Sequence, residues 1–553
     1  MKTPAPATAP PDYVRETFSP EEEAVLARFF TNVDRPVYAL INLPEVVKGA
    51  LFARYSRSPK SVRRLFLDEF LLQPELGVAA LAGQLGGDDA VIKMQRAEDL
   101  YERVFNEYGD DSVAQLGGVH LACEQSSNLL TKVLEWGRLA AYLEQSTRYM
   151  FYDQKLGERY RYLTPPEVSQ GPLAAAYTAA LDRLFETYSQ LVELMVPYYE
   201  ERFPKAPEDS NFVWRSTIRA KACDTIRGLL PAATLSNVGI YATGQAYEMM
   251  LLRMRAHPLG EVRSYADLML EELNKVIPAF MKRLDRPDRG GVWSAYLAET
   301  AHRTREIAAR LGVEPEARPE VTLVEWDPEA EGKVVAAALY GYCDLPDDQL
   351  VGIARRMSHT ERAGVIAAYV GDRSNRRHKP GRGMERTSYR FDILCDYGIF
   401  RDLQRHRLLT LDWQRLSTAH GYVTPPDLEE AGGACLWREA MEGAAAFHAR
   451  VEDMLGGEVA QYVVPFAYRI RFMMQLNARA AFHLIELRTQ PSGHPDYRRV
   501  CREMHRLIRD QAGHRLIADA MSFVDYRDYD LERLEAERKA AHRRAAAGVA
   551  EPT

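Results

Sequence analysis

Arg405-His406-Arg407 sets three adjacent cation-capable side chains directly after an apolar-periodic run, Tyr397, Ile399, Phe400 and Leu403. Two guanidinium forks flanking an imidazole suit a pyrophosphate or an electron-rich heteroaromatic ring, because each fork gives directional, charge-assisted hydrogen bonds. A lone basic triplet is ordinarily a solvated surface. Further along, Asn477 and Arg488 are eleven residues apart in a helical pattern. That is close to three turns, so the two share one face, roughly 16 Å apart along the axis. What gives these residues weight is a second, differently preserved copy of the same neighbourhood.

At 553 residues the chain exceeds one ordinary core, and two domains or more are expected. Its 46% apolar and 27% charged residues describe a soluble globular protein. With 71 basic against 78 acidic residues, net −7, there is no global basic field for sequence-independent nucleic-acid binding. Neither an uncharged apolar span nor a basic leader followed by an apolar core is present, so no membrane segment or secretory signal is expected. Cys123, Cys223, Cys343, Cys395, Cys435 and Cys501 are scattered with no CxxC. This argues against a disulfide framework or a zinc knuckle and for a reducing, cytoplasmic setting.

Residues 1–34 open on a Pro/Ala-rich tail expected to be mobile, and Ser19 and Pro20 read as N-cap and first residue of a helix. Gly109-Asp110-Asp111-Ser112 marks a turn. A long helical pattern is read over residues 123–150, with Leu130, Val133 and Leu134 toward a core and Arg138 and Tyr142 continuing one face. A second long helix is read over roughly 171–200. The stretch from Ile218 to Leu273 reads as helix, a Pro-containing break, then two more helices. Residues 289–331 form the connection between halves. In the second half YRFDIL alternates as a strand does, and 531–553 is a charged, Ala-rich tail expected to be a solvated, fraying helix.

Tyr162-Leu163-Thr164-Pro165-Pro166-Glu167 recurs as Tyr422-Val423-Thr424-Pro425-Pro426-Asp427. Arg227-Gly228-Leu229-Leu230-Pro231, followed 24 residues past the proline by Arg255, matches Gln461-Tyr462-Val463-Val464-Pro465, followed 23 residues past it by Arg488. Arg138 sits where Arg407 sits. A repeat this long implies duplication of a whole domain, not a short-period solenoid.

Both halves resemble flavin-dependent thymidylate synthases, from about residue 40 to 285 and again from about 332 to 525. The family signature is Arg-His-Arg, seven residues, Ser, then x-Arg-Tyr. The first half matches its back, with Arg138, LAAYLEQ and Ser146-Thr147-Arg148-Tyr149, while Trp136-Gly137 stand where Arg-His belongs. The second half matches its front, Arg405-His406-Arg407; nine residues then precede Ser417, and Ala419-His420-Gly421 replace the Arg-Tyr. The resemblance implies that Arg405, His406 and Arg407 hold FAD, with Asn477 and His483 as further flavin contacts. It implies that Glu144, Ser146, Arg148, Arg227 and Arg255 hold dUMP or a related pyrimidine nucleotide. Arg488 is carried over as the catalytic group that polarises the uracil so that C5 becomes nucleophilic, with no cysteine nucleophile required. The first-half positions matching Asn477, His483 and Arg488 read as Gly244, Met250 and Arg255. Asp110 replaces a flavin-contacting His of the family, and Gln461 replaces the arginine found at 227.

The expected architecture is α+β: two similar thymidylate-synthase-complementing-type domains in tandem, 35–288 and 332–530, helices around a modest sheet, docked as a pseudo-dimer. Two such chains would imitate a tetramer of single-domain units. The implied activity is reductive methylation of dUMP to dTMP, with methylenetetrahydrofolate as carbon donor, FAD, and NADPH as reductant; no metal is implied. A competing reading is a non-catalytic flavin- or nucleotide-binding homologue that kept the fold. A third is nucleic-acid binding through the basic run Arg373, Arg376, Arg377, His378, Lys379, Arg382 and Arg386, against which the overall acidity argues.

Overall fold

The computed structural model describes residues 16–34, 38–43, 45, 47–48, 51–52, 60–71, 115 and 117–546. The Pro/Ala-rich start, the Gly109–Ser112 turn with Asp110, and residues 547–553 lie outside them. Ser19 and Pro20 open the Pro20–Phe29 helix as the sequence suggests: Ser19 Oγ accepts from Glu22 N, and the Glu22 carboxylate accepts from Ser19 N.

The first half runs β1 (Gly118–Ser127), a helix Asn128–Leu134, β2 (Ala140–Glu144), a long helix Ala174–Arg202, a helix Asn211–Ile226, one 3-10 turn Arg227–Leu229, β3 (Leu235–Thr243) and a helix Gly244–Arg255. After β4 (Val321–Trp326), the second half repeats the order as β5 (Ser388–Asp396), Tyr397–Gln404, β6 (Thr410–Trp413), Ala434–Leu455, Gly457–Ala460, a 3-10 turn Gln461–Val463, β7 (Arg469–Asn477) and Ala478–Arg488. The sheets are antiparallel, ordered β1-β3-β2 and β4-β5-β7-β6, so the strand before the last helix is interior in both. The architecture is mixed helix and sheet, as expected.

Three details differ from the sequence reading. The long helix expected over 123–150 is only seven residues, between two strands. Ser127 ends β1 by capping the helix, its Oγ accepting from Leu130 N, and Gly137 comes soon after the helix ends. The break after Arg227 contains β3, whose buried residues Ser236, Val238, Ile240 and Ala242 alternate strictly but are small and partly polar, which weakens the signal. The connection carries an 18-residue helix, Val292–Ala309, with no buried residue, and β4, an edge strand of the second sheet.

The halves meet through a reciprocal backbone exchange. Ala232 N donates to Val464 O and Phe466 N to Leu230 O, both at 2.9 Å; Ala233 N donates to Tyr462 O and Ala467 N to Gly228 O, both at 2.8 Å. Pro231 and Pro465 face each other at the centre, where a missing N–H leaves nothing unsatisfied. The two long helices, Ala174–Arg202 and Ala434–Leu455, pack on one another, and a single cluster of buried apolar side chains runs through both halves.

Gly228 has no room for a side chain at this crossing: a Cβ would lie 2.6 Å from Trp437 Cη2 and 3.0 Å from Ala467 Cβ. Gly228→Ala is expected to destabilise the protein by about 1–3 kcal/mol through overpacking, read as a lowered urea midpoint at unchanged slope.

Candidate active site between the two halves

The Tyr397–Gln404 helix positions the Arg405-His406-Arg407 triplet. All eight of its residues are buried, and Asp396 caps it by accepting from Ile399 N at 3.0 Å. Arg401 and Arg405, one turn apart, therefore aim at one acceptor from the same helix face. That acceptor is Glu144, at the end of β2 in the other half. Arg401 Nη2 donates to Glu144 Oε1 at 2.8 Å, Arg405 Nη2 to Oε2 at 2.7 Å, and Lys132 Nζ to Oε2 at 3.3 Å. Burial pushes this carboxyl upward, but Arg401, Lys132 and Arg405 outweigh it and hold Glu144 well below the usual range. Lys132 also meets Glu135 at 2.6 Å, whose own carboxyl burial pushes up.

A second carboxylate works the same way in the opposite direction. Asp402 lies on the second half's helix, and its Oδ2 is 3.5 Å from Arg227 Nη1 of the first half. Its Oδ1 is 3.7 Å from Arg488 Nη1, and Arg488 Nη2 donates to the Asp402 carbonyl. Burial raises Asp402, but Arg227, Arg405 and Arg488 together keep it ionised, far below the usual range. Arg488 Nε donates to His406 Nε2 at 3.0 Å, which leaves the ring proton of a neutral His406 on Nδ1. Burial first, and then Arg488, lower the His406 pKa well below its ordinary value. His483 stands edge-on to His406 at 5.4 Å, and burial together with Lys379 lowers it to about 4.

Arg148 closes the site from the first half. Nε and Nη2 fork onto the Asp224 carboxylate at 2.7 and 2.5 Å, and Nη1 donates to Tyr497 Oη of the second half at 3.0 Å. Ser146 Oγ accepts from Arg148 N at 3.2 Å. Beside this cluster lies a cleft of about 820 Å³, lined by Arg405, His406, Arg407, Asn477, His483 and Arg488, with Lys379, Arg382, Arg479 and Arg138 at its walls. Asn477 Oδ1 accepts from Ala480 N at 2.8 Å and so caps the helix that carries His483 and Arg488.

Of the residues singled out from sequence, Arg405, His406, Asn477, His483 and Arg488 are thus gathered with Glu144, Ser146, Arg148 and Arg227. Arg407 lines the same cleft, 5.6 Å over the Tyr142 ring. Arg255 is elsewhere: Nη1 donates to Leu284 O at 3.0 Å, and Nη2 meets Asp285 at 3.0 Å and Asp267 at 3.5 Å. The register explains why. Thr243 caps its helix by accepting from Ala246 N just as Asn477 accepts from Ala480 N, so Met249 is the counterpart of His483 and Met254 of Arg488. Met254 lies 23 residues past Pro231, the interval from Pro465 to Arg488. The positions read as Gly244, Met250 and Arg255 are one residue too late.

The same correction applies to the signature spacing. Gln145 N donates to Asn237 O and Gln414 N to Arg471 O, both at 2.9 Å, so these glutamines are equivalent. Arg415 then occupies the place of Ser146, Ser417 that of Arg148 and Trp413 that of Glu144; the seven-residue spacer is intact in both halves. Gln461, in the place of Arg227, accepts from Leu416 N through Oε1 at 3.1 Å. The basic run is not a free surface throughout, since the side chain of Arg373 is buried with its fork on Glu486 at 2.7 and 2.6 Å. Sequence reading missed Arg401, Asp402, Asp224, Lys132 and Tyr497. The first was accessible, four residues before Arg405 on one helix; Asp402 and Tyr497 act through contacts that only the docked halves create.

Among the described residues no helix is long and apolar enough to cross a membrane, and no group of His, Cys, Asp or Glu could hold a metal ion.

These buried charges have two measurable outcomes. Glu144→Gln leaves Arg401 buried without its counter-charge and Lys132 with Glu135 alone, and is expected to cost about 3–5 kcal/mol in chemical denaturation. Asp396 is pushed up to about 7 by burial and by Asp496, against Arg227. An elevated carboxyl favours the folded state below the unfolded pKa near 4, and that contribution is lost as pH rises toward 7. Asp396→Asn keeps the cap and removes the titration. Stability of the native protein minus that of the variant is therefore expected to fall by up to about 1.4 kcal/mol per pH unit between pH 4 and 7, and to stay level above.

Comparison with known proteins finds the same family twice along the chain. The thymidylate synthase complementing protein family matches residues 73–279 and again 322–512. A UPF0159 protein of Chlamydia muridarum is 40% identical over 524 residues, covering 94% of this chain and 98% of that one. A flavin-dependent thymidylate synthase of Clostridium tetani is 27% identical over 229 residues, 39% of this chain and 83% of its own. Among solved structures, the UMP/dUMP methylase PolB of Streptomyces cacaoi bound with 5-Br dUMP is 19% identical, with a TM-score of 0.30 over 38% of this chain and 97% of that one. With two separate matches in one polypeptide, the chain belongs to the thymidylate synthase complementing protein family.

Proposed function

We propose that this protein reductively methylates dUMP to dTMP with methylenetetrahydrofolate as carbon donor, FAD as bound cofactor and NADPH as reductant, at one site between its halves. The halves act as a pseudo-dimer, two chains pair to imitate a tetramer, and the enzyme works in the cytoplasm. The observation that carries this reading is the convergence of Arg405, His406 and Arg488 from one half with Glu144, Arg148 and Arg227 from the other, around the carboxylates of Glu144 and Asp402.

The charge of the cluster supports an anionic occupant. Lys132, Arg148, Arg227 and Arg401 are buried, with Arg405 and Arg488 beside them, against the ionised Glu144, Asp224 and Asp402 and against Glu135, which pairs with Lys132. Buried cations in excess call for a further negative charge. Arg227 Nη2 is itself buried without a hydrogen-bond partner, the kind of donor a phosphate oxygen satisfies. The neighbouring cleft suits FAD in size and in its arginine and lysine walls.

When bound, the flavin supplies hydride transfer and relay of the one-carbon unit. The chain's own residues do the rest. Arg488 draws electron density toward a uracil carbonyl and thereby activates C5. His406 and the Asp402 carbonyl fix its guanidinium plane. No thiolate is needed: burial pushes Cys501, next to this region, up to about 12. The binding-only alternative draws on Asp402, whose charge offsets part of that of Arg488.

Purified protein given dUMP, labelled methylenetetrahydrofolate, FAD and NADPH is expected to place label in dTMP. Arg488→Ala is expected to lower that rate by about 100-fold or more. Uptake of FAD and dUMP with no label in dTMP would instead establish the binding-only reading.

A further inference from the structure

Across the Arg405–Thr410 strap from the first cleft lies a second, of about 740 Å³. The two share Arg138, His406, Arg407, Leu409 and Thr410 as a common wall. By the register of the helix caps, this second cleft is the repeat's counterpart of the first. Met249 lines it where His483 lines the other, and Trp136-Gly137 stand in place of Arg405-His406. Of the triplet only Arg138, the counterpart of Arg407, remains, and Met254 stands in the place of Arg488. The cleft is nonetheless nearly as large as its counterpart.

Its wall is built for a flat partner. Trp136 is anchored by Nε1 donating to Leu411 O of the other half at 3.2 Å, and stands edge-on to Trp413 at 6.0 Å. The Arg253 guanidinium lies 5.1 Å from the Trp136 ring centre. Arg253 over the Trp136 ring and Arg407 over the Tyr142 ring make no ion pair or hydrogen bond to any described residue; of the two carboxylates in the same lining, Glu135 is taken by Lys132 at 2.6 Å, so Arg138, Arg253 and Arg407 face Asp412 alone and the cleft keeps an excess of positive charge. Such a combination recognises an aromatic ring that carries an anion.

We propose that this second cleft is a subsite for a planar aromatic group bearing a phosphate or carboxylate, stacked at Trp136 and neutralised by Arg253 and Arg407. The inference rests on the reading of the first cleft as the flavin site. Two molecules present that chemistry from next door: the adenylate end of the flavin dinucleotide, and the aminobenzoyl-glutamate tail of the folate.

The test compares FAD, FMN and tetrahydrofolate binding to the full-length protein, Trp136→Leu and Arg253→Gln, with thermal melts to verify folding. A loss of tenfold or more in FAD affinity with FMN unchanged assigns the subsite to the adenylate. The same loss for tetrahydrofolate on FAD-loaded protein, with both flavins unchanged, assigns it to the folate tail. Affinities for all three within twofold of native in a folded variant overturn the proposal, and Arg253→Gln carries the test if Trp136→Leu does not fold. If the native protein binds no flavin, the parent reading has failed separately. The subsite is then judged with 5′-AMP: fluorescence quenching that is lost in Trp136→Phe supports it, and no quenching overturns it.

Discussion

Glu144 is a buried acceptor at which cations of both halves meet. Its carboxylate is fully buried, and three cations reach it, one from its own half and two from the other. Removing an ion from water is costly, and the cost is met only when its partners arrive together. Docking of the halves, helix positioning and charge placement are therefore one event. Arg401 and Arg405 acquire a fixed direction because Glu144 is there, and the direction of Arg405 sets where the rest of the triplet lies.

Asp402 mirrors this logic from the opposite half by gathering Arg227 and Arg488. The two carboxylates explain how an incomplete signature in each half yields a coherent centre. The first half contributes Glu144, Ser146 and Arg148 from the back of the signature, the second Arg405 and His406 from its front, and neither could assemble the constellation alone. The price is asymmetry: the counterpart positions, Trp413, Arg415, Gln461 and Met254, no longer form a polar site.

How much of this is legible in the sequence depends on the range of the interaction. The Arg405–Arg407 triplet, the Thr-Pro-Pro repeat and the Asn477–Arg488 helix could be read directly, because each is local and carries its own pattern. The interior strands β3 and β7 could not, since Ser236 and Ala242 dilute one alternation and the other runs straight into a helix. Arg255 misled because an arginine adjacent to the equivalent position is indistinguishable from it until helix caps fix the register. Asp402 and Asp224 are ordinary carboxylates in the text; Asp402 matters only where the other half presents Arg227, and Asp224 only once the fold brings Arg148, 76 residues earlier, onto it.

The reciprocal crossing at Pro231 and Pro465 has a consequence for inheritance. In a symmetric pair of identical chains every substitution is written twice, so a residue that improves one surface is imposed on its twin. Here each side of the crossing has its own codons. A tryptophan at 136 can coexist with an arginine at 405, and the two faces of the same ancestral scaffold are free to drift toward different chemistries while the shared backbone bonds hold them in register.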